Sequence, residues 1–94
     1  MSALLFRDDE TLKLAQNALE REMMIIQASI KITQSQLHKF EREFALSSDD
    51  FYEKYQHGKL GDRPEIMRWA MEVQALRKLT SDYQKLEEVE CVPG

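Results

Sequence analysis

The residues best equipped for chemistry cluster in one stretch, "SSDDFYEKYQHGKLGDRPE", residues 47–65. It holds His57, one of the two histidines in the chain, together with Asp49, Asp50, Glu53 and Asp62. A histidine among carboxylates can bind a divalent cation or pass a proton. The spacing does not favour either. It lacks the alternating acidic pattern of a calcium loop and the helical His pair of a zinc protease. A metal-dependent enzyme built around His57 is therefore the weakest of the functional readings.

Other chemical groups are as isolated. His38 lies three residues before Glu41, but a helical di-iron site uses a Glu-x-x-His motif from each of two helices, and here the order is reversed and single. Cys91 is the one cysteine, so it forms no intramolecular disulfide and no four-ligand zinc site. No G-x-S-x-G, phosphate loop or dinucleotide glycine pattern is present. Most acids alternate with bases, as in "ERE" at residues 20–22 and 41–43, the pattern of a solvated helix surface. The expectation is a protein that is not an enzyme and carries no cofactor or metal.

The same stretch has a structural reading in which every unusual residue has a task. Ser47 or Ser48 caps a short helix over about 48–57, with Asp50 at the third helical position after Ser47. Phe51 and Tyr55, four apart, share its inward face. Gly58 ends it, His57 sits in its last turn, Leu60 plugs inward and Gly61 turns. Asp62 and Glu65 have the spacing of a capping box for a helix opened by Pro64. Phe44 and Trp69 anchor the corner from either side.

These anchors need two long elements to carry them. Residues 9–45 contain no glycine or proline. Asp8 or Asp9 caps the start, and Leu12, Ala15, Leu19, Met23, Ile26, Ile30, Thr33, Leu37, Phe40 and Phe44 recur at spacings of three and four. That predicts a helix over 9–45, roughly 55 Å long. A second helix over about 63–90 presents Ile66, Trp69, Val73, Leu76, Thr80 and Tyr83, beside a row of Met67, Met71, Ala75 and Leu79. Met23 and Met71 read as core-filling residues, and Met24 and Met67 as contacts for another chain. Residues 91–94 form a tail.

The predicted fold is all-α: one domain over residues 1–94, a long antiparallel helical hairpin with a short connecting helix. If Ile66 starts opposite Phe44, the second helix ends level with residues 18–20 of the first. Leu12 and Ala15 then overhang. The first helix also carries a second stripe, Leu14, Ala18, Ile25, Ala28 and Ile32, nearly opposite the seam. Overhang and stripe together predict a dimeric or higher even helical bundle, with Leu12, Leu14, Ala15, Ala18, Leu19, Met24, Ile25, Ala28, Ile32 and Met67 at the oligomer or partner interface. Folding back of Ala3, Leu4, Leu5 and Phe6 is the alternative cover.

Composition sets the outer limits. The 94 residues are 43% hydrophobic and 32% charged, with a net charge of −4. The acidic balance argues against broad nucleic-acid binding, which needs Lys and Arg on phosphates. No apolar run reaches about 18 residues, so no membrane partner is expected, and the opening "MSALLFRDDE" lacks a basic leader region. The expected location is cytoplasmic.

Residues Lys39 to Leu79 also resemble a pattern found in short prokaryotic proteins. That pattern is an aromatic near a basic helix end, Ser-Ser-acid-acid-Phe-Tyr, a Gly-x-Leu-Gly-Asp turn, and a helix with a tryptophan. It is matched here by Phe44, Leu46, Ser47, Ser48, Asp49, Asp50, Phe51, Tyr52, Gly58, Leu60, Gly61, Asp62 and Trp69. The match covers under half of the chain and departs at Lys59 and at Arg63-Pro64. Some such proteins are similar to the antitoxin partner of TumE-type toxin pairs. The resemblance implies an antitoxin-like, non-enzymatic role, masking a small basic toxin-like protein. A structural homo-oligomer without a toxin is the alternative.

Overall fold

The structure, a computed structural model, describes the backbone of residues 8–91 and the side chains of residues 8–89. Ala3 to Phe6 and the tail beyond Cys91 lie outside the described residues. Three helices follow in order: α1 (Asp9–Phe44), α2 (Ser48–Gln56) and α3 (Pro64–Cys91). The long helices pack together and α2 closes one end. The shape is a rod of 55 × 22 × 19 Å with a radius of gyration of 18.3 Å. A compact chain of this length would have about 12–13 Å. The 36 residues of α1 alone account for the long dimension.

Local chemistry sets the helix ends. The Asp8 carboxylate accepts from the Thr11 N–H at 2.8 Å, which satisfies one of the first orphan donors of α1. That bond holds the Asp8 carboxyl below its ordinary range. At the other end Ala45 is left-handed (φ 52°), and the Leu46 N–H reaches back to the Glu41 carbonyl at 3.2 Å. Ser47 caps α2 by accepting from the Asp50 N–H at 3.1 Å.

Gly58 is left-handed at φ 70° and ends α2. Its N–H bonds the Tyr55 carbonyl, and the Lys59 N–H bonds the Lys54 carbonyl. That pair of bonds is a Schellman motif, which requires a left-handed residue at the glycine position.

The cap of α3 differs from the expectation. Pro64 is its first helical residue, so Arg63 rather than Asp62 stands immediately before it, and the Arg63 carbonyl accepts from the Met67 N–H at 3.0 Å. Asp62 lies one residue too early for the capping box with Glu65, because Pro64 fixes the first turn.

The register of the hairpin is marked by side-chain pairs. Gln27 donates to the Tyr83 hydroxyl at 2.9 Å, and Phe40 and Trp69 stack 5.5 Å apart. Level residues therefore have numbers that add to about 110, and α3 ends level with about residue 19 of α1. The first ten residues of α1, roughly 15 Å, extend past α3. Leu12 and Ala15 on this overhang, and Leu19 at its edge, are half-buried.

The core is concentrated at the closed end. Leu37, Phe51, Tyr52, Ile66, Trp69, Ala70 and Val73 form it, with Phe40, Phe44, Leu46, Tyr55, Leu60 and Leu76 packed around. Farther along, Met23, Ile26 and Thr33 are buried, but Thr80 on the α3 seam is exposed. Burial on α3 thus thins beyond Leu76.

Candidate functional site

The chemically varied stretch is a corner. Trp69 and Phe51 are fully enclosed, with ring centroids 3.8 Å apart and planes within 4°. Phe44 stacks on Trp69 at 5.4 Å, and Tyr55 on Phe51 at 6.0 Å. Stacked pairs at these distances add to the area that large aromatic rings already bury.

A polar tie across all three helices locks the packing. The Trp69 indole N–H donates to the Ser48 hydroxyl at 3.0 Å, and the Ser48 backbone N–H donates to the Glu41 carboxylate at 2.9 Å. Hydrogen bonding by the Ser48 side chain is the main influence holding the Glu41 carboxyl below its ordinary range; burial opposes it, and His38 adds a small favourable field. The Tyr52 hydroxyl accepts from Gln74 at 3.0 Å, while the Arg77 guanidinium lies 4.5 Å over the Tyr52 ring. Among the described residues no buried side-chain nitrogen or oxygen lacks a partner.

His57 takes part in this architecture. Its Nδ1 lies 2.7 Å from the Glu53 carbonyl, which also accepts from the His57 backbone N–H at 3.2 Å at the end of α2. His38 is exposed on α1. Among the described residues no group of three or more His, Cys, Asp or Glu is placed to hold a metal ion. Among the described residues no helix is long and apolar enough to cross a membrane.

The chain matches no protein-family model, no curated protein and no solved structure.

What stands out on the surface is the outer side of α1. Leu14, Met24, Ile25 and Ile32 are 59–68% exposed, and Ala18 and Ala28 between them are exposed as well. At about 100° per residue this row lies about 130° around the helix from the buried row of Met23, Ile26, Thr33 and Leu37, so α1 has two separate apolar faces. One is covered by α3 and the corner. The other faces out.

Not all the residues expected at the interface fall together. Leu14, Ala18, Ile25, Ala28 and Ile32 form one row, crossed by Arg21 between Ala18 and Ile25, with Met24 at its edge. Leu12, Ala15 and Leu19 instead continue the α3-facing seam along the overhang. Met67 is exposed, but on α3, about 16 Å past Ile32 along the rod by the register above. Met71 is a correction: expected as core filling, it is 64% exposed beside Met67. Trp69 and Ala70 take the inward positions, which turns the Met67–Met71 row outward. Sequence reasoning also missed the tie from Glu41 through Ser48 to Trp69. Glu41 reads as one member of an alternating charge run, and only folding brings it to the α2 N-terminus.

Proposed function

We propose that this is a non-enzymatic interaction protein that works through the outer face of α1 and self-associates there. The supporting observation is the exposed row from Leu14 to Ile32 on the outer face of α1. Exposed apolar side chains grouped on one face in this way mark binding sites. Covering Leu14, Met24, Ile25 and Ile32 supplies on the order of 5 kcal/mol per chain, or about 10 for a pair. Association costs about 4–15 kcal/mol, so a concentration-dependent equilibrium is expected rather than a permanent assembly. Sedimentation equilibrium over a wide concentration range tests this. A single monomer mass throughout would refute self-association.

Within that reading, the antitoxin-like role implied by the Lys39–Leu79 pattern makes the partner a small basic protein. The net charge of −4 supports complementarity with such a partner, chiefly in association rate. Co-expression with the product of the adjacent gene is the direct test. A complex that survives purification and suppresses the partner's activity supports the role. Absence of any complex leaves a purely self-associating protein.

A further inference from the structure

We infer that the outer face of α1 pairs with the same face of a second copy in antiparallel orientation, about a two-fold axis level with Met23. This rests on the self-association reading above and fixes its direction and register.

From Thr11 to Ser35 the outward row runs Thr11, Leu14, Ala18, Arg21, Ile25, Ala28, Ile32, Ser35, at strict alternating spacings of three and four. That is an a/d seam of a two-helix coiled coil, about 36 Å long. The row is symmetric in size about its middle. Reversed on itself so that facing residues have numbers adding to about 46, it sets Leu14 against Ile32, Ala18 against Ala28 and Arg21 against Ile25. Large side chains meet large ones at both ends, and paired alanines let the backbones approach between them. Each match occurs twice, as an isologous two-fold interface demands.

Other arrangements lose this matching. Sliding by one heptad puts Leu14 against Lys39 in one direction and Ala18 against Arg21 in the other. A parallel pair puts Arg21 against Arg21, an apolar seam broken by like charges. In the antiparallel register Arg21 lies instead beside Ile25 and next to Glu22 of the second copy. The two Glu22 and two Arg21 then form one compensating cluster near the axis. Among the described residues neither Arg21 nor Glu22 forms an ion pair, the pair there being Lys78–Asp82. Met24, 68% exposed, borders the seam near the axis and meets its own copy, where a flexible thioether adapts to a symmetric contact.

Spin-label distances on the full chain test the register. Cys91→Ser removes the native thiol, and labels go on Glu20→Cys or Gln34→Cys, two exposed positions away from the seam. In the antiparallel register the two labels at position 20 are offset along the axis by about 9 Å and those at position 34 by about 33 Å. A parallel pair gives similar short distances at both. Long distances at 34 with short ones at 20 support the inference; equal distances overturn it while leaving self-association intact. A monomer by sedimentation overturns both. Ile25→Glu is expected to weaken the dimer by more than about tenfold with unchanged helix content, since its side chain is exposed in the single chain. A dimer unaffected by Ile25→Glu and by Ile32→Glu overturns the inference.

Discussion

At the corner, Trp69 and Phe51 are completely enclosed and no buried side-chain nitrogen or oxygen lacks a partner. On the outer face of α1, Leu14, Met24, Ile25 and Ile32 stand in the open. The difference lies in how many elements converge. At the corner α1, α2 and α3 surround one indole. Along the outer face, among the described residues, only α1 is present, because α3 and α2 both pack on its other side. A 94-residue chain drawn out to 55 Å invests its internal packing at one end. It leaves a second apolar surface exposed among the described residues.

The largest effect that separates the two regions is removal of the indole. Trp69→Ala is expected to cost about 3–5 kcal/mol, read as a fall in the urea midpoint, because it opens a cavity among Phe40, Phe44 and Phe51. Ile25→Ala, measured at a concentration where the chain is monomeric, is expected to stay within about 0.5 kcal/mol of wild type. If the two cost the same, the outer face is not an idle surface and the contrast collapses.

A smaller effect probes the tie. Ser48→Ala removes the acceptor of the Trp69 N–H, leaving a part-buried donor unsatisfied. About 1–2 kcal/mol is expected. Ser48→Thr, which keeps the hydroxyl, is expected to retain most of that stability. Equal losses in both variants would mean that side-chain shape, not the hydrogen bond, matters at position 48.

Glu41 makes the same tie sensitive to acid. Its carboxyl titrates below the ordinary glutamate value of about 4.3, so the folded state favours the charged form. That stabilisation is present above the unfolded-state pKa and is lost as pH falls through the lower folded-state value. Wild type should therefore lose stability on acidification below about pH 4–5. Glu41→Gln should be less stable at neutral pH and should lose less between pH 6 and pH 3. Parallel pH profiles for the two proteins would remove Glu41 from the tie.

These cases also show which parts of the fold could be read along the chain. Helix boundaries came within a residue or so, since Asp8, Ser47, Gly58 and Pro64 act on neighbours a few positions away. The hairpin register followed from matching Ile66 to Phe44, and the Gln27–Tyr83 bond agrees with it. Asp62 was misread because two cap signals overlap, and proline, which fixes its own backbone, prevailed. Met71 was misread because a broad apolar stripe does not show which edge turns inward. The Glu41–Ser48–Trp69 tie was not legible at all: its members are 7 and 21 residues apart, and hydrogen-bond geometry leaves no periodic trace. The outer face of α1 was legible as a pattern, since an apolar row is visible whether or not anything covers it.

The finest test concerns the stops that turn the chain into the corner. Among the described residues three are left-handed: Ala45 at φ 52°, Gly58 at φ 70° and Gly61 at φ 76°. A β-carbon disfavours this conformation by about 1–2 kcal/mol, while glycine adopts it freely but gives up more freedom on folding. Ala45→Gly should therefore stabilise by about 0.5–1 kcal/mol, a rise of several degrees in melting temperature for a domain of this size. Gly58→Ala should move the opposite way by a similar amount. An added methyl there meets nothing within 4 Å, so backbone strain is its only cost. Opposite signs would show that the corner is held partly against local preference at Ala45. Equal signs would mean that the Ala45 methyl contributes packing that outweighs its strain, and that the enclosed region reaches one residue farther toward solvent than its burial suggests.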